Sequence, residues 1–453
     1  MISTLPMSAP AGLSLSPQDV AAATAGLAEL NHHFSRRFPG EPTTRQPVHV
    51  VYGGAHLFRA DTAKKLGATA LRTLDEHAPD AASFGAVFGL DASSAEVVRA
   101  RVVDKLRREP VEDLRLDFED GYGNRPDDEE DAHARSAALE MARGLREGTL
   151  PPLVGIRVKP LDEEHRARAI RTLDLFLGAL AEGAARRLPE GFVVTLPKIT
   201  IAAQVSALAS LLSALEKRLG LGEGAIGIEL MIETPQALSA LDALREAARG
   251  RCVAAHFGAY DYTAALGITA GQQALSHPAC DFARHRMAVD LAGTGVRVSD
   301  GATTLLPIGP HRPAAGGALT EAQRADNRAV VHRALRAHYD NVRRALDGGL
   351  YQGWDLHPAQ LPARYAAVHA FFLDVLEPAG ERLSRFVREA ARATERGGVF
   401  DDAATGQGLL NVFLRALSSG AVSEEEATRL TSLSAAELRA RSFSAIAKSR
   451  VPG

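Results

Sequence analysis

The chain has 453 residues, of which 46% are hydrophobic and 24% are charged, as in an ordinary soluble globular protein. Its net charge of −3 gives no reason to expect nucleic acid or an acidic membrane as a partner. The chain contains only two cysteines and no CxxC, which excludes a disulfide framework.

The amino terminus does not resemble a targeting segment. Residues 1–20 lack the basic start and the long apolar stretch of a secretory signal, and no apolar run in the chain reaches the length of a membrane span. With so few cysteines, this predicts a cytoplasmic protein. Residues 1–45 are interpreted as a tail followed by one helix, which begins at Pro17 and is capped by Ser16.

From Val48 onward, short strand-like segments alternate with Ala-, Leu- and Arg-rich segments of helical spacing. The predicted strands are 48–52, 113–118, 153–158, 192–197, 225–232, 252–258, 296–301 and 350–356. Alternating strands and helices imply a parallel α/β sheet. Eight strands are the number that closes a (β/α)8 TIM barrel, which is the predicted fold.

The same pattern divides the chain into three parts. Residues 1–45 are the tail and helix, residues 46–375 are the TIM-barrel domain, and residues 376–453 are a C-terminal helical extension without strands. The segment at about 60–110 is too long for a simple crossover. It is interpreted as an insertion with a helix, a further strand at SFGAVFGL and a second helix.

Two carboxylates follow consecutive predicted strands. Glu233 ends the fifth strand and Asp261 follows the sixth. Taken singly, Glu233 would be a helix cap and Asp261 a solvated loop acid. The carboxyl ends of barrel strands share one face, where barrel enzymes carry out chemistry. As a pair, the two acids therefore predict a site for a hard cation such as Mg²⁺, which takes few protein ligands and keeps several waters.

Further charged residues stand at neighbouring strand ends. Arg157 follows the third strand and is expected to grip a carboxylate with two hydrogen bonds, the alternative being a surface salt bridge. Asp117, Glu119 and Asp120 crowd the end of the second strand, where their repulsion requires a cation or an arginine nearby. One or two of these acids are expected to pair with Arg157.

Lys198 and the histidines leave alternatives open. Lys198 ends the fourth strand and is either a Schiff-base nucleophile or, as favoured here, a lysine paired with the acids. His56 follows the first strand and is an acid, a base or an anion ligand, unless it is a plain loop histidine. His256 lies within an apolar strand and is expected in the core.

In order and spacing, these motifs resemble the citrate lyase beta-subunit and CoA-ester lyase (HpcH/HpaI aldolase) family of metal-dependent aldolases. The similarity covers roughly residues 48–372. The matching motifs are DFED at 117–120, Arg157-Val158-Lys159, Pro197-Lys198, Glu233-Thr234, Gly258-Ala259-Tyr260-Asp261 and Leu356-His357-Pro358-Ala359-Gln360.

The resemblance implies that Glu233 and Asp261 bind Mg²⁺ and that Arg157 holds the oxoacid carboxylate or stabilises an enolate. It also implies that substrate lies beside Gly258, Ala259 and Lys198. In some relatives an acid from a neighbouring subunit closes the site, a part that would fall here to the acids at 401–402.

The family pattern is not matched everywhere. Lys159 replaces the family asparagine, and Tyr260 replaces an acid. These differences leave the substrate and the use of CoA open.

The leading hypothesis is a Mg²⁺-dependent carbon–carbon lyase or aldolase acting on a 2-oxo acid or an acyl-CoA through a metal-stabilised enolate. The catalytic residues would be Arg157, Glu233, Asp261 and His56. Alternatives are a phosphoenolpyruvate/pyruvate phosphotransfer enzyme, although the chain has no GxxxxGK[ST] motif, and a non-catalytic oxoacid-binding barrel. A homo-oligomer is expected.

Overall fold

The computed structural model describes residues 14–40, 44–313, 317–395 and 403–450. The strands are β1 (His49–Gly54), β2 (Asp113–Asp117), β3 (Leu153–Arg157), β4 (Val193–Leu196), β5 (Gly227–Ile232), β6 (Cys252–Phe257), β7 (Arg297–Ala302) and β8 (Gln352–Asp355). The first helices are α1 (Pro17–Ala23), α2 (Leu27–Arg37), α3 (Thr62–His77), α4 (Ala81–Phe88), α5 (Ala92–Arg108), α6 (Asp127–Glu147), α7 (Arg166–Gly183), α8 (Ala202–Leu219) and α9 (Pro235–Ser239). The remaining helices are α10 (Leu241–Ala247), α11 (Ala259–Ala265), α12 (Pro278–Leu291), α13 (Glu321–Asp347), α14 (Leu361–Glu395), α15 (Ala403–Ser419), α16 (Glu424–Thr431), α17 (Ala435–Ala440) and α18 (Phe443–Ser449).

These strands form one closed barrel in which each strand pairs in parallel with the next and β8 returns to β1. The strands are covered on both faces, as parallel strands require, and all five residues of β2 are buried. The predicted (β/α)8 barrel is confirmed. Closure places the carboxyl ends of all the strands on one rim.

The connection from β1 to β2 contains three helices, α3 to α5, and the strand predicted at SFGAVFGL is wrong. This segment forms α4 because Asp80 caps it, accepting a hydrogen bond from Ser83 N at 2.8 Å, and Gly89 ends it with a φ of 71°. Phe84 and Phe88, four residues apart, are buried on one face of the helix. Helical spacing therefore prevails over the apolar composition that suggested a strand.

The single amino-terminal helix expected from Pro17 is in fact two helices. Gly26, with a φ of 79°, separates α1 from α2. Neither helix has a buried residue.

The C-terminal helices are joined to the barrel by α14, which runs without a break through the boundary expected near residue 375. Helices α15, α16 and α18 pack against α14, and α14 in turn packs on α5. The acids at 401–402 lie outside the described residues. No helix in the described ranges is long and apolar enough to cross a bilayer.

A polar network fills the middle of the barrel. Arg115 Nη2 donates to Glu229 Oε2 at 2.6 Å, and the same guanidinium pairs with Asp113. The Tyr52 hydroxyl donates to Glu229 Oε1 at 2.9 Å and lies 3.1 Å from His256 Nδ1. His256 is therefore a core residue, in agreement with the sequence. The network separates the rim at the carboxyl ends from the opposite end of the barrel.

Candidate active site

Seven charged side chains form a continuous cluster at the carboxyl ends of β2 to β6. This rim cluster consists of Asp117, Glu119, Asp120, Arg157, Lys198, Glu233 and Asp261. Each residue ends a strand or lies within the first few residues after it. The barrel therefore brings together the acids and bases that the sequence placed at successive strand ends.

Of the two acids predicted to bind a cation, Glu233 is the more deeply buried. It directly follows β5, is 2% exposed, and accepts a hydrogen bond from the backbone N of Lys198 at 2.6 Å through Oε1. Burial, together with the nearby charge of Asp261, outweighs the attraction of Lys198 and Arg157 and raises the pKa of Glu233 to about 8. At neutral pH this carboxyl is held largely protonated, as expected where negative charge is in excess.

Gly258 makes room for Glu233. A Cβ atom added at Gly258 would lie 2.4 Å from Glu233 Cβ and 2.6 Å from its Oε2. The Gly258 backbone N donates to Ile232 O at 3.0 Å, which fixes it beside the end of β5. Glycine is therefore required here by close approach.

Asp261 is linked to Glu233 by Lys198, which contacts both acids. It lies in the first turn of α11 with its side chain 48% exposed, and its Oδ2 is 3.7 Å from Lys198 Nζ. The Lys198 ammonium also binds Glu119, and lies 3.2 Å from Asp120 Oδ1. The two acids predicted as a pair thus both contact Lys198. Glu233 binds its backbone N, and Asp261 lies near its side-chain ammonium.

Lys198 itself is held in an uncommon backbone conformation. Its φ is +49°, in the left-handed region that non-glycine residues rarely adopt. Burial lowers the pKa of the Lys198 amine. The hydrogen bond and the charge of Glu119 raise it by more, so that the pKa lies above its ordinary value. Lys198 is therefore a charged ammonium at neutral pH, paired with acids as the sequence interpretation favoured.

Arg157 is occupied by the acids of the β2 end. Its Nε donates to Asp117 Oδ1 at 2.7 Å and its Nη2 to Asp117 Oδ2 at 2.5 Å, while Nη1 lies 3.0 Å from Glu119 Oε2. The guanidinium also lies over the rings of Tyr52 and Trp354, at 5.0 and 5.5 Å from their centroids. The expected pairing of Arg157 with these acids is confirmed.

Tyr52 and Trp354 were not among the residues selected from the sequence. Both lie on strands, β1 and β8, that become neighbours only when the barrel closes. The one available signal was the presence of large aromatic residues near the ends of the first and eighth predicted strands.

His56 lies on the β1 side of the rim. Its ring is 5.4 Å from that of Tyr122 and 5.8 Å from that of His133, and its Nδ1 is buried without a hydrogen-bond partner. Burial, assisted by the charge of Arg125, lowers the pKa of His56. Within the described ranges, no hydrogen bond or ion pair joins it to Glu233 or Asp261.

The chemistry of the rim cluster fits a hard divalent cation. Its five carboxylates outnumber Arg157 and Lys198, leaving three negative charges in excess when all groups are ionised. In the described part of the chain, no three His, Cys, Asp or Glu side chains are arranged to hold a metal ion together. Glu233 and Asp261 stay the predicted Mg²⁺ ligands, a number that this ion accepts because it retains several waters.

Comparison with known proteins gives one family and a set of distant structures. A family model described as "Domain of unknown function (DUF6986)" matches residues 27–446. No curated protein matches the chain in sequence.

The similar solved structures include malate synthase from Haloferax volcanii in a magnesium/glyoxylate complex. It is 15% identical with a TM-score of 0.46, over 89% of this chain and 99% of that one. Another is the citrate lyase beta subunit from Mycobacterium tuberculosis with oxaloacetate and magnesium. It is 16% identical with a TM-score of 0.39, over 74% of this chain and 99% of that one. These are likenesses of fold, and no activity of this chain follows from them.

Proposed function

This chain belongs to the DUF6986 family, whose function is unknown, and from its rim cluster we propose a Mg²⁺-dependent carbon–carbon lyase or aldolase that acts on a 2-oxo acid or an acyl-CoA. The observation that carries the proposal is that a buried acid, Glu233, and a half-exposed acid, Asp261, both contact Lys198 at the carboxyl ends of the barrel strands, the face where barrel enzymes carry out chemistry. Glu233 and Asp261 would hold the ion.

A bound Mg²⁺ would supply Lewis-acid polarisation of the substrate carbonyl. The protein would supply the surrounding charge. Arg157, whose positive charge is fixed by Asp117, would lie where negative charge develops on the substrate oxygen. Gly258 and Ala259, beside Glu233 at the start of α11, are the proposed substrate contacts on the other side.

Lys198 is proposed to bind substrate by its charge. A Schiff base requires a neutral amine, and the raised pKa of Lys198 disfavours that form at neutral pH. Its ammonium is held between Glu119, Asp120 and Asp261, so it neutralises part of the charge that surrounds the oxoacid.

His56 is proposed for proton transfer on the β1 side of the rim. Its lowered pKa keeps the imidazole neutral at pH 7, and its buried Nδ1 has no partner in the protein. A neutral imidazole is able to accept a proton from substrate or from water.

The test combines metal titration with turnover. We expect the wild-type protein to bind Mg²⁺ in calorimetry and to cleave or form a carbon–carbon bond in a panel of 2-oxo acids and acyl-CoA esters. Glu233→Gln should weaken Mg²⁺ binding by about 100-fold or more and abolish turnover, since one of two protein ligands is lost. Glu425→Gln, an exposed change on α16, is the matched control and should resemble the wild type.

Two results would contradict the proposal. One is wild-type Mg²⁺ affinity in Glu233→Gln, and the other is full turnover in the presence of a chelator. The homo-oligomeric state and the cytoplasmic location stay predictions, and sedimentation analysis tests the first of them.

A further inference from the structure

A second cavity lies at the opposite end of the barrel from the rim cluster. It has a volume of about 420 Å³ and is bounded by the amino-terminal ends of β3 to β7. We call it the floor cavity. Its apolar wall contains Leu153, Val193 and Val253, and Arg297 at the start of β7 also lines it. Its size is in the range of small-molecule sites.

Arg297 is a cation without a partner. Within the described ranges it forms no hydrogen bond or ion pair, and its Nε is buried and unpaired. The acids that face it along the barrel, Asp113 and Glu229, are both engaged by Arg115. Burial lowers the pKa of Arg297, yet a guanidinium remains charged at neutral pH. Its side chain is only partly exposed and its Nε has no partner, so an anion that enters the floor cavity can pair with it.

The two other arginines of the floor cavity are each bound by an acid. Arg251 makes two contacts of 2.7 Å with Glu216. Arg45 is likewise bound by Glu109 through two hydrogen bonds of 2.7 Å. Glu190, the one acid among the lining residues, is exposed. Among the described residues that line the floor cavity, Arg297 is therefore the arginine that has no acid bound to it.

Two backbone donors at this end are also occupied. Gly224 N donates to Glu216 Oε2 at 2.9 Å and Gly227 N donates to Phe192 O at 2.9 Å. A phosphate dianion needs several donors or more than one free cation. One free guanidinium next to an apolar wall instead matches one negative charge with a short hydrocarbon chain.

We propose that the floor cavity binds a small monocarboxylate, with its carboxylate on Arg297 and its alkyl chain against Leu153, Val193 and Val253. The carboxylate would form two parallel hydrogen bonds with the guanidinium. The polar network of the barrel interior lies between this ligand and the rim cluster. The floor cavity is thus a binding site separate from the proposed catalytic one, and it does not depend on Mg²⁺.

The experiment is calorimetric titration of the full chain with butyrate, isovalerate and hexanoate, with isovaleramide and inorganic phosphate as comparison probes. We expect the carboxylates to bind with and without Mg²⁺, and the amide and phosphate to bind at least about tenfold more weakly, since a charged hydrogen bond is lost or unmatched. Arg297→Gln should raise the Kd of isovalerate by about tenfold or more.

Two further variants separate binding from folding. Val253→Phe fills the apolar wall but keeps Arg297, and should also raise the Kd about tenfold. Arg218→Gln removes the same charge from an exposed position of α8 and should leave the Kd unchanged. Thermal unfolding of each variant verifies that it is folded. If Arg297→Gln does not fold, Arg297→Lys, which keeps the positive charge, replaces it.

Absence of binding by all three carboxylates would overturn the proposal. So would an unchanged Kd in both Arg297→Gln and Val253→Phe, since the carboxylates would then bind elsewhere, for example at the rim cluster. Tighter binding of phosphate than of isovalerate would also overturn it.

Discussion

Glu233 is the residue whose protonation controls the rim cluster. It is buried, it faces Asp261, Lys198 and Arg157, and burial is the main reason that its pKa rises from 4.5 to about 8. A carboxyl must lose its proton before it can bind a metal ion. Proton and metal therefore compete for the same oxygens.

This competition predicts a pH-dependent Mg²⁺ affinity. As pH increases towards 8, the Mg²⁺ affinity should rise by up to about tenfold per pH unit. Above pH 8 it should level off, because Glu233 is then already ionised. Calorimetry between pH 6 and 9 measures the slope. A constant affinity from pH 6 to 8 would contradict the assigned protonation of Glu233.

The same shift has a consequence for stability. The folded protein holds the Glu233 proton between pH 4.5 and about 8, whereas the unfolded chain releases it above 4.5. The contribution of this group to the free energy of unfolding therefore decreases as pH rises through that window. In metal-free protein, Glu233→Gln should therefore make the free energy of unfolding less dependent on pH in this window.

Gly258→Ala tests the packing that fixes Glu233. The added methyl would lie 2.4 Å from Glu233 Cβ, so the carboxyl must move. We expect Mg²⁺ affinity to fall by about tenfold or more, since ligand position governs metal binding. Gly271→Ala is the control because nothing lies within 4 Å of its added Cβ, and it should bind Mg²⁺ like the wild type. Equal affinities of the two variants would remove Gly258 from the argument.

At the level of elements, the ends of β2 and β3 are joined by the Asp117–Arg157 pair. Both side chains are buried, at 1% and 2% exposure, and the guanidinium also covers rings from β1 and β8. The pair therefore connects four strands at the rim.

Asp117→Asn should destabilise the protein by about 3 kcal/mol, because it leaves a buried guanidinium without its main counter-charge. Denaturation by urea measures the loss. Asp340→Asn, which removes the partner of Arg336 in an exposed pair, should cost less than about 1 kcal/mol. Similar losses in the two variants would show that burial of the Asp117–Arg157 pair is not decisive.

Elements also show where local patterns misled the prediction. The strand predicted at SFGAVFGL became α4 through its Asp80 cap and its Gly89 terminus, signals that were present in the sequence. The helix expected after Pro17 broke at Gly26, again at a residue whose conformational freedom was visible. In both cases the composition of the segment was given more weight than its boundary residues.

For the whole molecule, the C-terminal helices are expected to be part of the folded unit. Helix α14 continues from the barrel through residue 375, and α15, α16 and α18 cover it. Buried apolar residues of this region include Leu383, Val387, Leu410, Phe413 and Phe443.

Removal of residues 403–453 should therefore lower the midpoint of thermal unfolding by roughly 10 °C or more, or make the protein insoluble, because it exposes the apolar face of α14. Circular dichroism during heating measures the change. Removal of residues 1–26 is the control, since α1 has no buried residue, and should shift the midpoint by only a few degrees. An unchanged midpoint after the C-terminal deletion would make the extension an independent unit.

The sequence alone determined the barrel and the order of its charged residues. Periodicity is a local property, so the strands could be read from β-branched runs and the helices from their spacing, and topology then required that Arg157, Lys198, Glu233 and Asp261 share one rim. The tertiary structure alone decided the contacts among them: Asp117 occupies Arg157, and Lys198 stands between four acids. It also revealed the floor cavity with its unpaired Arg297. These contacts join residues that are distant in the chain, and they depend on how closure and packing orient each side chain, which no local pattern encodes.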